Sequence, residues 1–138
     1  MRAEGARRAA LRVAAVALLV DGLGFGVFVP VAIASIAQGR GVPLVLGFPT
    51  YGGGPFAGYG VPTTVPLLLA FGAVCLLQGV AAVLVWRRRP SGAVLTLVAV
   101  ALGAVFWWGF ALPFGPVLGV LAVVLVLVGW PALAQSER

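Results

Sequence analysis

Hydrophobic positions along this chain form long runs with no polar face, not the alternation of a strand or the one-sided stripe of a surface helix. Four runs are long enough, at about 20 residues, to cross a hydrocarbon core of about 30 Å. They cover residues 11–37, 66–86, 92–112 and 117–134, and within the last the stretch 120–128 is entirely aliphatic. The pattern predicts an all-α integral membrane protein: four transmembrane helices in an up-down antiparallel bundle, forming a single membrane domain over 1–138. The short connections around Arg87–Pro90 and Pro113-Phe114-Gly115-Pro116 make the second, third and fourth spans neighbours.

The connection between the first two spans is different. Residues 38–62 hold eight glycines, four prolines and four aromatics (Phe48, Tyr51, Phe56, Tyr59), with Arg40 the only charge. Gly and Pro at that density forbid a regular helix. So apolar a loop is expected either to fold down over the helices or to remain a loose connector; irregular backbone at membrane depth needs protein or water to satisfy it.

Composition narrows the picture. Of 138 residues, 62% are hydrophobic and 9% charged, and the mean hydropathy is +1.17. Soluble domains carry about 25% charged residues, so a water-facing surface cannot be built from this chain. Disorder is excluded by the same numbers. There is no His, Lys or Asn and one cysteine, Cys75. The usual ligands of haem, zinc and copper are therefore missing, as are a Schiff-base lysine and a cysteine pair. No metal site, cofactor or catalytic constellation is expected, and the chain reads as a non-enzyme. Arg as the sole strong base, with abundant Ala, Gly, Val and Pro, points to a GC-rich bacterial genome.

The net charge of +6 is a topology signal and not a nucleic-acid surface. With both termini in the cytoplasm, Arg2, Arg7, Arg8, Arg12, Arg87, Arg88, Arg89 and Arg138 fall inside and only Arg40 outside, as the positive-inside rule requires. Arg7, Arg8, Arg12, Arg87, Arg88 and Arg89 set the topology. The expected location is the bacterial inner membrane, multi-pass. Trp86 and Trp130 are expected at the inner interface and Trp107 and Trp108 at the outer one. A cleaved signal peptide ending near Ala34 is disfavoured, because the first apolar run is too long and holds an acid.

Asp21 is the one acid inside an expected span. Ten residues past Leu11 it lies about 15 Å deep, where an ionised carboxylate costs at least about 2.5 kcal/mol and must be paired or carry a proton. Arg12, nine residues earlier, falls on the opposite helix face. Gln78 lies at matching depth on the second span and Cys75 one turn above it. Thr96 shares a face with Gly92, Ala99 and Gly103. Asp21, Ser35, Cys75, Gln78 and Thr96 form a candidate intramembrane polar seam, either a proton or cation path or interhelical glue. Cys75 has no base near its depth and reads as a small buried residue. Within Asp21-Gly22-Leu23-Gly24-Phe25-Gly26, the spacing Gly22-xxx-Gly26 suits close helix packing, and the glycines also suit a broken, ion-binding helix. Gly115-xxx-Gly119 reads as a packing motif.

Two functions follow as expectations. One is a structural or accessory subunit docking to a larger membrane complex; the other is a small oligomeric transporter or channel using Asp21. Expected partners are the lipid bilayer and either a membrane protein or further copies of the chain. The most distinctive stretch, residues 106–116 (FWWGFALPFGP), carries no reactive group that would choose between them.

Overall fold

The computed structural model describes residues 2–45 and 47–134. Arg138, counted above among the inside charges, lies outside the described residues. The chain is mostly helical: α1 (Arg2–Gly26), α2 (Phe28–Ala37), α3 (Pro55–Gly58), α4 (Val65–Trp86), α5 (Pro90–Gly109) and α6 (Phe114–Ala134). Taking α1 and α2 as one unit of 36 residues, four helices are long and apolar enough to cross a membrane.

The first helix begins at Arg2, nine residues before the apolar run. The segment that precedes Leu11 is rich in Ala and Arg, both strong helix formers, and Glu4 pairs with Arg8 one turn on. The helical ladder is interrupted only at Val27, whose backbone angles stay helical (φ −62°, ψ −33°). Pro30, three residues further, lacks the N–H that would bond the Gly26 carbonyl, so the ladder is weakened there.

Four helices end in the same way. Gly39, Gly60, Arg88 and Ala111 take left-handed backbone conformations, with φ of 71°, 75°, 58° and 55°. In each case the next amide reaches back five residues: Arg40 to Ser35, Val61 to Phe56, Arg89 to Leu84 and Leu112 to Trp107. This is the Schellman closure. Proline follows at 62, 90 and 113, and it disfavours helical backbone at the residue before it, so the ending helix does not run on. The third long helix consequently stops at Gly109, not at 112, and α6 starts at Phe114 inside the anticipated turn.

Helix α1 packs along both α4 and α6, α4 along α5, and α5 along α6. The interior is graded along its length. Next to the long loop it is aromatic, with Tyr51, Phe71, Trp107 and Phe110. The middle is built of Ala17, Leu18, Ala81, Ala82 and Ala122. The opposite end is filled by Leu11, Val85, Val126 and Leu133. Small residues in the middle let the backbones approach closely, which is how apolar helices gain packing without a hydrophobic driving force.

The long loop is folded down over the helix ends, and it is not all irregular. Residues β1 (Leu44–Val45) and β2 (Phe48–Pro49) pair antiparallel, and Thr50 closes the hairpin by donating to the Pro43 carbonyl at 2.9 Å. Tyr51 is buried to 1% exposure against Phe71 and Phe110, with ring centroids 5.6 and 5.2 Å away. Phe56 stands edge-on to Phe110 and covers Gly109, leaving no room there for a side chain.

Trp107 corrects the expected aromatic belt. It is 2% exposed and lies between α5 and α6, on Gly115 and Gly119, whereas Trp108, Trp86 and Trp130 face outward. Hydropathy places a residue along a helix but does not say which face it occupies; three glycines, Gly103 included, make the trough that takes this indole.

Candidate functional site

Asp21 sits on α1 pointing inward and is 1% exposed. Its Oδ2 accepts a hydrogen bond of 2.8 Å from Nε2 of Gln78 on α4. Oδ1 has no partner among the described residues. The neighbouring glycines make this contact possible. A Cβ at Gly22 would stand 2.8 Å from the Cys75 carbonyl oxygen and 3.2 Å from Cβ of Gln78, and one at Gly26 would stand 3.2 Å from Cβ of Cys75. With both side chains absent, α1 comes close enough for the short Asp21 carboxyl to reach across. Gly24 faces open space. Helix α1 is unbroken through Gly26, so Gly22-xxx-Gly26 acts as a close-packing motif here.

The five candidate polar residues are all buried, but they do not form one continuous seam. Asp21 and Gln78 are brought together, with Cys75 one turn away on α4. Thr96 donates 2.7 Å to the Gly92 carbonyl of its own helix. Gly92 in turn presses on the end of α4, where a Cβ would stand 2.6 Å from the Val85 nitrogen. Ser35 donates 2.8 Å to the Gly41 carbonyl and closes the turn after α2. Thr96 and Ser35 thus serve local backbone, as short hydroxyl side chains commonly do.

The arginines gather as two groups at one end. Arg7, Arg8 and Arg12 come from α1, and Arg87, Arg88 and Arg89 form the turn between α4 and α5. They meet across a small pocket lined by Arg8, Leu11, Arg12, Val85, Trp86 and Arg88, in which the Arg12 guanidinium lies 5.8 Å from the Trp86 ring centroid. Arg40 follows α2, at the end of the helices where the long loop lies.

Two residues that the sequence marks only as a loop aromatic and an interface tryptophan matter to the architecture. The Tyr51 hydroxyl donates 2.7 Å to the Phe25 carbonyl on α1, and burial pushes the phenol above its ordinary pKa. The available signal was a hydroxyl-bearing aromatic amid glycines. Trp107 is the other, and its Nε1 is buried without a partner among the described residues. Its signal was the glycine spacing that faces it on α6.

Chemically, the arrangement offers one open acceptor, Asp21 Oδ1, in an apolar interior. Such an oxygen is a place for a proton, a water or a cation, because a buried acceptor without a partner is costly. Cys75 has Asp21 near it and no base. Among the described residues no three of His, Cys, Asp or Glu gather as a metal site. Comparison with protein-family models, curated proteins and solved structures finds no match to this chain.

Proposed function

We propose that this chain is a multi-pass protein of the bacterial inner membrane, its four long helices an up-down antiparallel bundle with both termini cytoplasmic, and that it serves as a structural or accessory subunit of a larger membrane complex. The observation that carries this reading is how the polar side chains within the helices are used. Gln78 is tied to Asp21, Thr96 to Gly92 and Ser35 to Gly41, all inside the chain. Meanwhile α6 presents Val117, Val120, Val124, Leu127 and Val128 outward as an aliphatic face. Of these, only the Asp21–Gln78 bond joins two helices, and an interhelical polar contact of that kind acts as glue worth about 0.6 kcal/mol.

The orientation rests on the arginines. Seven of them stand at the end shared by the start of α1 and the α4–α5 turn, and Arg40 stands at the other. That asymmetry supports a cytoplasmic location for the arginine-rich end, by the positive-inside rule. Reporter fusions at the start of α1 and within 38–62 test it: a cytoplasmic reporter active at the first site and a periplasmic one at the second is the expected result.

A second reading is favoured by one observation, the unpartnered Oδ1 of Asp21. It makes the chain a small oligomeric transporter or channel in which Asp21 binds a proton or a cation. Native mass spectrometry after mild detergent extraction from the source cell separates the two. A stoichiometric heterologous subunit supports the accessory role. A homo-oligomer alone overturns it in favour of transport through Asp21.

A further inference from the structure

The arginine-rich end holds a built pocket, not only a diffuse charge. Arg8 and Arg12 come from α1 and Arg88 from the α4–α5 turn, and they surround a space of about 140 Å³ with buried Leu11 and Val85 in its walls. Among the described residues, Arg8 has Glu4 as an ion-pair partner and Arg12 and Arg88 have none. Arg12 is positioned over Trp86. Arg88 reaches the pocket from a left-handed backbone conformation, φ 58°, that the turn imposes on it. Three arginines lining one space match a phosphate, whose oxygens accept the paired N–H donors of guanidinium groups.

An apolar groove begins within a turn of this pocket. It has a volume of about 750 Å³ and runs between α1/α2 and α4, from Val83 and Leu84 to Pro30 and Leu69. Gly22, Gly26, Gly72 and Gly79 line it, and a Cβ at Gly79 would meet nothing within 4 Å. Pocket and groove adjoin on α4, where Val85 and Trp86 line the one and Val83 and Leu84 the other. From Arg12 to Gly22 is about 15 Å along the helix, within the length of a long acyl chain.

We propose that the crease between α1 and α4 binds an anionic phospholipid, its phosphate held among Arg8, Arg12 and Arg88 and one acyl chain lying in the groove past Gly79 and Gly22. The pocket alone would accept any phosphate-bearing anion. The adjoining groove selects an amphiphile, and a cytoplasmic leaflet rich in anionic lipid supplies it. This inference rests on the membrane reading above, which resistance of the protein to alkaline extraction from membranes tests separately.

The test is native mass spectrometry of the full chain, delipidated in detergent and titrated with phosphatidylglycerol, phosphatidylcholine or inorganic phosphate. Arg12→Gln with Arg88→Gly removes two pocket guanidiniums, and glycine suits the backbone at 88. Arg2→Gln with Arg87→Gln removes the same charge outside the pocket. Gly79→Leu fills the groove with the arginines intact. The expected result is phosphatidylglycerol binding in preference to phosphatidylcholine, weakened about tenfold or more by the pocket pair and by Gly79→Leu, and unchanged by the outer pair. Equal losses from both arginine pairs would reduce the effect to net charge and overturn the site. Displacement of the lipid by equimolar inorganic phosphate, or no effect of Gly79→Leu, would overturn the lipid as ligand. Helical circular dichroism of each variant shows that the losses come from a folded protein, and Gly79→Leu gives a reading independent of any arginine.

Discussion

The hydroxyl of Tyr51 donates a 2.7 Å hydrogen bond to the carbonyl oxygen of Phe25, joining the tip of a glycine-rich loop to the long first helix just before its ladder falters. The helical ladder is interrupted at Val27 and Pro30 has no N–H to offer the Gly26 carbonyl, so the carbonyls of this turn are short of helical donors. Tyr51 supplies one from a distance of 26 residues, and its ring fills the aromatic end of the interior.

Removing that hydroxyl should loosen the loop. Tyr51→Phe keeps the ring but leaves a part-buried carbonyl without its donor, at a cost of about 1 kcal/mol. The expected outcome is a lower thermal midpoint in detergent and faster proteolysis between Gly52 and Tyr59. Undiminished protease resistance would show that ring packing alone holds the loop.

The same residue predicts an alkaline transition. Burial holds the Tyr51 phenol above the ordinary tyrosine pKa, which is about 10 in an unfolded chain. Deprotonation therefore favours the opened state, so the stabilisation is complete below about pH 10 and is lost as pH rises toward the higher folded value. Protease sensitivity of the loop should climb above about pH 10 in the parent protein. In Tyr51→Phe, where the remaining loop tyrosine, Tyr59, is exposed, the climb should vanish.

How much of this was legible in the sequence differs by residue. The four long helices were, because about 20 apolar residues in a row leave no other economical fold. That Asp21 and Gln78 could stand at one height was also readable from helix rise, since both lie at fixed counts from helix ends, and the two meet in a hydrogen bond. Three things were not. The start of α1 at Arg2 depends on helix propensity in an arginine-rich stretch that hydropathy discounts. The burial of Trp107 depends on which face of α5 meets Gly115 and Gly119. The docking of Tyr51 is a contact between distant segments that no local pattern encodes.

Helix ends offer a stabilising change. Ala111 holds φ 55°, a conformation that costs an L-residue about 1–2 kcal/mol and glycine almost nothing. Ala111→Gly should therefore raise the thermal midpoint by a few degrees, about 1 kcal/mol of stability less what glycine loses through its freer unfolded chain. A fall in midpoint would mean that the methyl group of Ala111 contributes packing that outweighs the strain.

The two glycine environments on α1 and α6 should respond oppositely to alanine. Gly119→Ala would place a Cβ 2.5 Å from the Trp107 ring, and overpacking of this kind costs about 1–3 kcal/mol. Gly24 faces open space within a helix, so Gly24→Ala should be neutral or stabilise by up to about 1 kcal/mol through helix propensity. Thermal unfolding of the two variants in the same detergent decides the matter; equal effects would contradict the seat assigned to Trp107.

Asp21 and Gln78 allow the two functional readings to be separated by one set of variants. Asp21→Asn keeps an acceptor oxygen for Gln78 Nε2 and removes the titrating group, so the helix contact survives. Asp21→Leu strands the Gln78 amide in an apolar interior and should cost about 1–3 kcal/mol. Asp21→Leu with Gln78→Leu removes both partners and should recover much of that loss, giving a coupling of about 1–3 kcal/mol in a double-mutant cycle. If the pair is glue, function in the native complex follows stability: intact in Asp21→Asn, impaired in Asp21→Leu, and restored in the double variant. If Oδ1 binds a proton or cation, Asp21→Asn abolishes transport while expression and thermal midpoint stay at parental levels, and the double variant, however stable, remains inactive.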